Sequence, residues 1–498
     1  MSIMTIDLGT TNIKICLFDP GLDTLAETSK PVVYDRRGDF VEFDPEEYFS
    51  SIYQGMLDTG LAGAQHVKED IVQIVLTGQA ESLVLLDGKN RPVCSAISWM
   101  DARSHKECKE LSAVFDKNVC YHTTGQPELI PTWPVTKLLW LRKNRPDAIK
   151  KAQHILLLKD YIVFRLCGHF VGEHSIYCFS HYFNITQKTY WENILDYCGV
   201  CSAQLPELAP SGTIAGFLHS DLLQPAIGLT GSTKINIGTL DHFAGMIGTG
   251  AIRPGIISES AGTVLSLAAM TSAPVFDHGM LPNYCGPFPD SYVILPVCES
   301  GGFSMEWFKK NFLPDISYSE LNQILLQRPA SRVPVFLPYL TGVNPPEYNA
   351  DASGTFFGIQ AMHDKYDLSV SVMEGVACLL RKNLEYLEGA GIRVDKIIST
   401  GGGARSSFWT QIKANITGRE IEIPKNEEAP SFGSAIMAAV GEGYFSSYED
   451  AIRGSVSIAR RSVPEPSPYY EETYRLFCKL YSSLEECFAR NDSRTVPA

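Results

Sequence analysis

The pattern of apolar and polar positions predicts two strands joined by a short turn close to the amino terminus. Apolar residues alternate with polar or small ones at Ile6, Leu8, Ile13, Ile15 and Leu17. The turn between them consists of Gly9, Thr10, Thr11 and Asn12. Period-two alternation on both sides of such a turn predicts a β-hairpin from Met4 to Asp19.

The hairpin turn has the chemistry of a phosphate-binding loop. Gly9 allows the backbone to approach a ligand closely, and the three polar residues after it add short hydrogen-bond donors. Asp7 precedes the glycine, where a carboxylate can hold a hydrated Mg²⁺ ion against phosphates, and Lys14 supplies a positive charge. A simple turn without a ligand is the alternative interpretation of these residues alone.

The next elements are a helix and a second strand-turn-strand segment. Asp44 and Pro45 have the pattern of a helix start, and the residues that follow share one apolar face: Phe49, Ile52, Tyr53 and Met56. From Ile71 the chain predicts strand, turn and strand, with residues 77–81 at the turn. Gln79 and Glu81 can each reach a sugar hydroxyl from a strand end, whereas a solvated loop is the alternative.

The middle of the chain repeats the strand-to-turn pattern with a carboxylate. An apolar strand over 235–240 leads to Asp241 and His242, which begin a helix of small residues. Asp241 is either a helix N-cap or a functional carboxylate at this stage. Residues 257–269 then predict a second hairpin, whose turn contains Gly262 and Thr263.

These features indicate two related halves. Gly-Thr turns recur at Gly9 and Gly262, and apolar strands close on Thr-Gly at Gly78 and Gly401. The repetition predicts an α/β fold of two ribonuclease H-like (actin-like ATPase) domains, whose phosphate hairpins face a central interdomain cleft. We place the domains at residues 1–248 and 249–498.

The carboxyl-terminal half adds a long helix and a glycine-rich turn. Residues 368–389 keep a helical spacing, and Asp367 is the predicted cap. A strand then leads into glycines ahead of a helix that begins near Ser406. Uncharged backbone at Gly402, Gly403 and Ala404 can lie against an adenine ring or ribose, although such a turn is weak evidence alone.

Composition restricts the classes of partner. The chain has 498 residues, of which 45% are hydrophobic and 20% charged, so it fits two or more globular domains. No apolar run approaches a membrane span and no basic segment precedes the first apolar run, so we expect a cytoplasmic protein. A formal charge of −14 opposes nucleic-acid and membrane binding. Among thirteen cysteines, Cys198 and Cys201 form one C-x-x-C pair, and we interpret all of them as reduced packing residues.

Together the motifs resemble the FGGY carbohydrate kinase family over almost the whole chain. DLGTTNIK is similar to the family's first phosphate motif, and residues 131–144 match its first signature except at Thr132. Residues 354–374, GTFFGIQAMHDKYDLSVSVME, match the second signature throughout. LKDYIVFRLCG around Lys159 and STGGGARSSFW around Gly402 also look like family segments.

The resemblance implies a role for each candidate residue, with ATP and Mg²⁺ as cofactors. Asp241 would be the catalytic base that accepts the proton of the attacking sugar hydroxyl, and Asp7 would bind the metal. The implied ATP-binding residues are Gly9, Thr10, Thr11, Asn12, Lys14, Gly262, Thr263, Gly402, Gly403 and Ala404. The implied substrate-binding residues are Gln79, Ala80, Glu81, Asp241 and His242.

The resemblance leaves the substrate open. At residues 79–81 glycerol kinases look like Gln-Arg-Glu and xylulokinases like Gln-Met-His, so this chain agrees with neither. Glu81 favours a polyol-type contact, whereas Ala80 leaves room for a longer sugar, and Thr132 weakens a three-carbon substrate. We expect a pentulose, with a polyol or sugar acid (glycerol, erythritol or gluconate type) as the alternative.

A non-catalytic actin-like ATPase is less favoured, because the motifs leave no room for a peptide-binding domain. A homodimer is compatible with this interpretation.

Overall fold

The computed structural model describes residues 1–63, 70–262, 264–298, 301–329, 331–344, 347, 349–426 and 428–492. Within them the strands, in chain order, are β1 (Ser2–Leu8), β2 (Asn12–Phe18), β3 (Thr24–Pro31), β4 (Asp35–Arg37), β5 (Phe40–Phe43), β6 (Ile71–Gly78), β7 (Leu83–Leu86), β8 (Ala96–Ile97), β9 (His154–Leu157), β10 (Val171–Glu173), β11 (Phe183–Asn184), β12 (Thr189–Tyr190), β13 (Glu207–Ala209), β14 (Ile214–Phe217), β15 (Lys234–Leu240), β16 (Gly255–Ala261), β17 (Leu265–Thr271), β18 (Asn283–Cys285), β19 (Tyr292–Ile294), β20 (Val297–Cys298), β21 (Val335–Leu337), β22 (Thr355–Phe357), β23 (Val394–Thr400), β24 (Glu420–Pro424) and β25 (Ile458–Ser462).

The α-helices of the same residues are α1 (Pro45–Gly63), α2 (His105–Val114), α3 (Lys117–Thr124), α4 (Pro134–Asn144), α5 (Pro146–Lys151), α6 (Leu158–Cys167), α7 (His174–Tyr177), α8 (Glu192–Cys198), α9 (Asp241–Thr249), α10 (Gly302–Phe312), α11 (Tyr318–Gln327), α12 (Lys365–Gly389), α13 (Ser407–Thr417), α14 (Ala429–Gly441), α15 (Tyr448–Ser455) and α16 (Pro468–Asp492). The α/β class predicted from the sequence is confirmed.

A mixed sheet in the first half carries the predicted hairpin. Its strand order is β14-β15-β6-β1-β2-β3, with β1 antiparallel to β2 and parallel to β6. Strand β15 runs parallel to β6 on the other side. The alternating apolar residues of β1 and β2 are buried, and α1 covers this sheet after Asp44 caps it through a 2.7 Å bond to the Glu46 N–H.

The second half repeats this arrangement. Its main sheet has the order β18-β19-β17-β16-β23-β24-β25, with β16 antiparallel to β17 and parallel to β23. The pair β16 and β17 therefore corresponds to β1 and β2, and β23 corresponds to β6. The internal repetition predicted from the Gly-Thr and Thr-Gly segments is present in the strand order and direction.

Helices α9 and α14 cross at backbone contact distance. A Cβ atom added to Gly248 would lie 2.1 Å from the Ala429 carbonyl oxygen, and one added to Gly433 would lie 1.8 Å from the Ala244 carbonyl oxygen. Helix α14 also contacts β1 and β6, so it brings the carboxyl-terminal half of the chain against the first sheet. The crossing involves Ala244 and Gly248 of α9, the helix that begins at Asp241.

Two expectations about local structure are wrong. Asp364, not Asp367, caps α12: its side chain accepts the N–H groups of Tyr366 and Asp367 at 2.8 and 3.0 Å. The Asp367 carboxylate instead accepts a hydrogen bond from the Asp364 N–H at 2.9 Å, which completes a capping box. Cys198 is buried as expected, but Cys201 is exposed, and both are free thiols.

One buried carboxyl in α12 makes the stability of the second half depend on pH. Burial raises the pKa of Glu374 to about 8, and Tyr469 donates a 3.0 Å bond to it. The ordinary value of 4.5 applies to the unfolded chain. The folded state therefore binds more protons between these two values, and stability falls as the pH rises through that window.

We predict that Glu374→Gln removes most of this dependence. Between pH 5 and pH 8.5, the melting temperature of the wild type should fall by several degrees more than that of the variant. Each kcal/mol of lost unfolding free energy corresponds to about 2 to 4 °C. Calorimetry at both pH values measures the difference. Parallel curves for the two proteins would contradict the assignment of a neutral Glu374.

Candidate active site

The turn between β1 and β2 brings the backbone close to where a ligand would bind. A Cβ atom on Gly9 would lie 2.4 Å from the Asn12 carbonyl oxygen, so only glycine fits this tight turn. The Trp99 indole N–H donates to Thr10 Oγ1 at 3.2 Å, while Thr11 and Asn12 are exposed. The turn thus presents polar groups and unobstructed backbone to the cleft.

Asp7 occupies the end of β1 with an unsatisfied oxygen. Its Oδ1 atom is buried and has no hydrogen-bond partner among the described residues. Burial raises the pKa of Asp7 to about 7, and the charge of Asp241 adds to the increase, whereas Lys14 opposes it. A buried carboxylate with a free oxygen beside a second carboxylate is an environment that favours a bound cation.

Asp241 approaches Asp7 from the other side of β6. In the parallel register Leu8 pairs with Gly78, and Gly78 pairs with Leu240, so β1, β6 and β15 end side by side. Asp241 is the first residue of α9, and its Oδ1 accepts the His242 N–H at 2.6 Å. Leu240 holds the N-cap position, so the structure does not support the alternative interpretation of Asp241 as the helix N-cap.

Electrostatics give Asp241 and His242 different protonation states. Burial raises the pKa of Asp241 to about 6, partly offset by the His242 N–H and the charge of Lys159. Burial lowers the pKa of His242 to about 4, so its ring is neutral near pH 7. The His242 Nε2 atom is buried and lacks a partner among the described residues. The site therefore contains an ionised carboxylate next to a neutral imidazole.

Lys14 is held by a residue that sequence reasoning missed. It forms an ion pair with Glu428, which immediately precedes α14. The Glu428 charge also raises the pKa of Asp7. The pair connects the first hairpin to the carboxyl-terminal half across the cleft, and nothing in the sequence around Glu428 indicates this contact.

The predicted sugar-contacting turn follows directly on β6. Gly78 has φ +144 and Glu81 has φ +70, so the chain bends sharply here and continues into β7 of a different sheet. Gln79 Oε1 accepts the Ser82 hydroxyl at 2.8 Å, and its amide lies 3.5 Å from the Gly9 carbonyl oxygen. Ala80 is buried. The turn thus adjoins the phosphate hairpin.

Glu81 faces a buried cation. Burial raises the pKa of Glu81 to about 8, against the opposing charge of Lys137. Burial lowers the pKa of Lys137 to about 8, and its Nζ donates to the Ser98 carbonyl oxygen at 2.8 Å. The sequence placed Lys137 only within a family signature, so its position beside Glu81 is a structural finding.

An aromatic wall next to this turn contains two unsatisfied side chains. Both ring nitrogens of His181 and the Trp133 Nε1 atom are buried without partners among the described residues, and the two rings lie 5.9 Å apart. Phe179 stacks on Tyr284 at 4.5 Å, and the Glu81 charge contributes to raising the pKa of Tyr284. The only local signal for His181 is its left-handed backbone, φ +63, which no sequence pattern predicts.

A cavity of about 690 Å³ lies in the carboxyl-terminal half. Its lining includes apolar side chains suited to an aromatic base (Met305, Tyr318, Leu321, Met373 and Trp409) and the predicted residues Gly262, Gly402 and Gly403. Gly401 at φ +81 lies against Ala261, which joins the two turns. Ala404 is buried behind them, with its carbonyl bonded to Arg460 at 2.6 Å. Thr263 lies outside the described residues.

The geometry brings most predicted residues to one cleft. Asp7, Asp241 and the first hairpin meet at adjoining strand ends, with the turn at 79–81 beside them. No cluster of three or more metal-ligating side chains occurs in the described part of the chain. Two carboxylates nevertheless suit Mg²⁺, which usually keeps several waters and takes further ligands from phosphates.

Comparisons with known proteins identify a family of similar proteins. The model of the FGGY family of carbohydrate kinases matches the chain with its N-terminal domain at residues 2–248 and its C-terminal domain at residues 258–442. A xylulose kinase of Staphylococcus epidermidis is 28% identical over 497 residues, covering 98% of each chain. A gluconokinase of Bacillus licheniformis is 26% identical over 501 residues, covering 97% of this chain and 96% of its own.

A solved structure confirms the fold. The crystal structure of a xylulose kinase from Brucella ovis is 26% identical, has a TM-score of 0.89, and covers 98% of this chain and 100% of its own. Among the described residues no helix has the length and apolar character needed to span a membrane.

Proposed function

Because the chain belongs to the FGGY family of carbohydrate kinases, we propose that it transfers the γ-phosphoryl group of ATP to a hydroxyl of a pentulose such as xylulose. The observation that carries this proposal is the approach of Asp7 and Asp241 at the ends of β1 and β15, the two strands that flank β6, beside the first hairpin. Phosphoryl transfer needs positioning and charge neutralisation, together with a group that accepts the hydroxyl proton.

Asp241 is suited to accept that proton. With a pKa of about 6 it is mostly ionised at neutral pH, yet it is more basic than an ordinary aspartate. The neutral His242 ring beside it can exchange hydrogen bonds with the sugar without competing for the proton. Both residues are half-buried. Closure of the domains around the sugar would exclude water, which would otherwise consume ATP without transfer.

Asp7 would hold Mg²⁺ together with ATP phosphates. The fit rests on its buried Oδ1, which has no partner among the described residues, and on its pKa of about 7, which shows that the surrounding protein disfavours the ionised form. The metal would neutralise phosphate charge when bound. Lys14, fixed by Glu428, would add a positive charge on the opposite strand of the hairpin.

A neutral sugar fits the charges of the cleft better than a sugar acid does. Asp241 is mostly ionised at neutral pH, and Asp7 and Glu81 gain negative charge as the pH rises through about 7 and 8. Lys137, the nearby cation, is already bonded to the Ser98 carbonyl oxygen. A gluconate-type acid is the second candidate, because Lys137 is a buried cation beside Glu81 and because a gluconokinase is among the relatives.

A coupled assay over a panel of substrates tests the proposal. Purified protein is incubated with ATP and Mg²⁺ plus xylulose, ribulose, glycerol, erythritol or gluconate, and ADP formation is compared with a sugar-free reaction. We expect the highest kcat/KM with a pentulose and little turnover without an acceptor. A rate that no member of the panel changes would contradict the sugar kinase assignment for this set of acceptors.

Glu81→Gln should weaken sugar binding selectively. The swap keeps the shape of the side chain but replaces a carboxyl that, with its pKa of about 8, is mostly protonated and can donate as well as accept a hydrogen bond. A hydrogen bond to a sugar hydroxyl contributes about 0.5 to 1.5 kcal/mol net. We expect KM for the pentulose to rise about tenfold while KM for ATP changes little, and the ratio of gluconate to pentulose turnover should increase. Glu374→Gln, an identical swap at a buried site in α12, is the control. Equal effects on both KM values would argue against a sugar contact.

Three further expectations remain part of this proposal. The family matches at residues 2–248 and 258–442 support a domain boundary close to residue 248. A cytoplasmic location would supply ATP and keep thiols such as Cys198 reduced. A homodimer is testable by light scattering, which would give a mass of twice 55.0 kDa.

A further inference from the structure

A buried ion pair lies behind the candidate base and belongs to neither ligand site. Lys159 on α6 and Glu173 at the end of β10 are 3.1 Å apart, and their side chains are 1% and 0% exposed. Removing two charges from water is costly, and such a pair is tolerated only where further hydrogen bonds satisfy it. Its surroundings therefore indicate what the pair supports.

Glu173 is saturated with donors. Its Oε2 accepts Lys159 Nζ and the Ser175 hydroxyl, the latter at 2.6 Å. Its Oε1 accepts the Ser175 N–H at 2.7 Å and the Ser211 hydroxyl at 2.6 Å. Burial would raise the pKa of Glu173, but Lys159 and the serine donors outweigh it and hold the pKa below its ordinary value. The carboxylate is thus fixed in charge and orientation.

The network continues to the end of β15, the strand that precedes Asp241. Because the Ser175 hydrogen points to Glu173, its oxygen is free to accept the Leu240 N–H, at 3.0 Å. Thr239 Oγ1 lies 3.1 Å from Ser175 Oγ, and the Thr239 carbonyl oxygen accepts the Thr77 hydroxyl at 2.9 Å. Leu240 is the residue directly before Asp241, so these contacts fix the peptide from which the base projects.

The need for such support comes from an irregularity in β15. The pairing of β15 with β6 shifts register between Asn236 and Thr239, where Gly238 adopts φ +59. A Cβ atom on Gly238 would lie 1.6 Å from the Leu76 carbonyl oxygen, so the strand bulges against β6 at this point. A bulge redirects a strand end and weakens the local ladder, and here it lies just before the base.

We propose that the Lys159–Glu173 pair, acting through the Ser175 hydroxyl, is a positioning device that holds the Leu240 peptide and thereby aims the Asp241 carboxylate at the acceptor hydroxyl. This inference rests on the proposed function, since it assigns to Asp241 the role of base. The three residues are positioning residues, because they reach the reaction only through Leu240 and Asp241.

Ser175→Ala tests the proposal, with Ser369→Ala as the matched control. Ser369 is equally buried and donates a 2.7 Å bond to the Tyr366 carbonyl oxygen in α12, remote from the base. We expect kcat of Ser175→Ala to fall about tenfold to a hundredfold, as for a displaced catalytic group. KM for ATP and sugar should change less than about twofold, because no ligand contact is lost.

Two further measurements separate positioning from a general loss of stability. In an Asp241→Asn background, adding Ser175→Ala should lower the residual rate less than about twofold, because both changes act on one group. The double variant Lys159→Met/Glu173→Leu removes the ion pair without leaving a buried charge. It should likewise lower kcat while leaving both KM values nearly unchanged. If Ser175→Ala lowered the rate as much in the Asp241→Asn background as it does in the wild type, the proposal would be overturned.

Amide hydrogen exchange gives a readout that does not depend on sugar turnover. The Leu240 amide should exchange faster in Ser175→Ala than in the wild type or Ser369→Ala. Faster exchange in a protein that phosphorylates no sugar would contradict the proposed function and leave the positioning contact standing. Unchanged exchange at Leu240 would overturn the positioning role whatever the activity.

Discussion

Asp241→Asn should reduce sugar phosphorylation by about two orders of magnitude or more, the usual contribution of a positioned general base. Asparagine keeps an oxygen that can accept the His242 N–H, which Asp241 Oδ1 accepts at 2.6 Å, so the first turn of α9 should be preserved. What the swap removes is the capacity to accept a proton. The fold and the affinity for ATP should therefore remain close to those of the wild type.

The deciding measurement is initial velocity together with melting temperature for Asp241→Asn and Asp241→Ala. Both variants should lose activity to a similar extent, whereas only the alanine variant loses the bond to His242 and should melt at a lower temperature. A fully active asparagine variant would end the base assignment. His242 would then be the nearest remaining proton acceptor, although burial lowers its pKa to about 4.

The parts of the fold that sequence predicted are those set by local patterning. Alternating apolar residues and a Gly-Thr turn sufficed for both hairpins, and the Thr-Gly strand ends at Gly78 and Gly401 revealed the repeat of β6 in β23. These signals work because burial of one strand face and the steric freedom of glycine act over a few residues.

Such local patterns do not predict contacts between distant segments of the chain. Glu428 reaches Lys14 across more than four hundred residues, and His181 meets Trp133 through an unusual backbone conformation. The capping of α12 shows the same limit at short range. Both Asp364 and Asp367 suit an N-cap, and the structure assigns them reciprocal roles in one capping box.

The charges of the site were the least predictable feature. The sequence places Asp7 and Asp241 more than two hundred residues apart, yet the charge of Asp241 raises the pKa of Asp7 in the folded chain. Only the parallel order of β1, β6 and β15 brings them together. This repulsion between two carboxylates supports the Mg²⁺ site that we propose at these strand ends.

Asp7→Asn should therefore separate metal binding from proton transfer. Asparagine retains the shape of the side chain but weakens its interaction with Mg²⁺, which prefers carboxylate ligands. We expect kcat/KM for ATP to fall by about three orders of magnitude, equivalent to about 4 kcal/mol of lost transition-state stabilisation. The Mg²⁺ concentration that gives half-maximal rate should rise at the same time.

Binding of ADP with Mg²⁺ distinguishes Asp7→Asn from the matched Asp241→Asn variant. In a thermal-shift titration, Asp241→Asn should keep the Mg²⁺-dependent part of the stabilisation by ADP, because its carboxylate is assigned to the proton. Asp7→Asn should lose that part while still responding to ADP alone through the carboxyl-terminal cavity. Without ligands, it should melt no lower than the wild type, since it removes a carboxyl that burial and Asp241 disfavour in its ionised form. If Asp7→Asn kept the Mg²⁺ dependence of the wild type, Asp7 would not be the metal ligand. The repulsion between Asp7 and Asp241 would then act in the part of the cleft that binds the acceptor sugar.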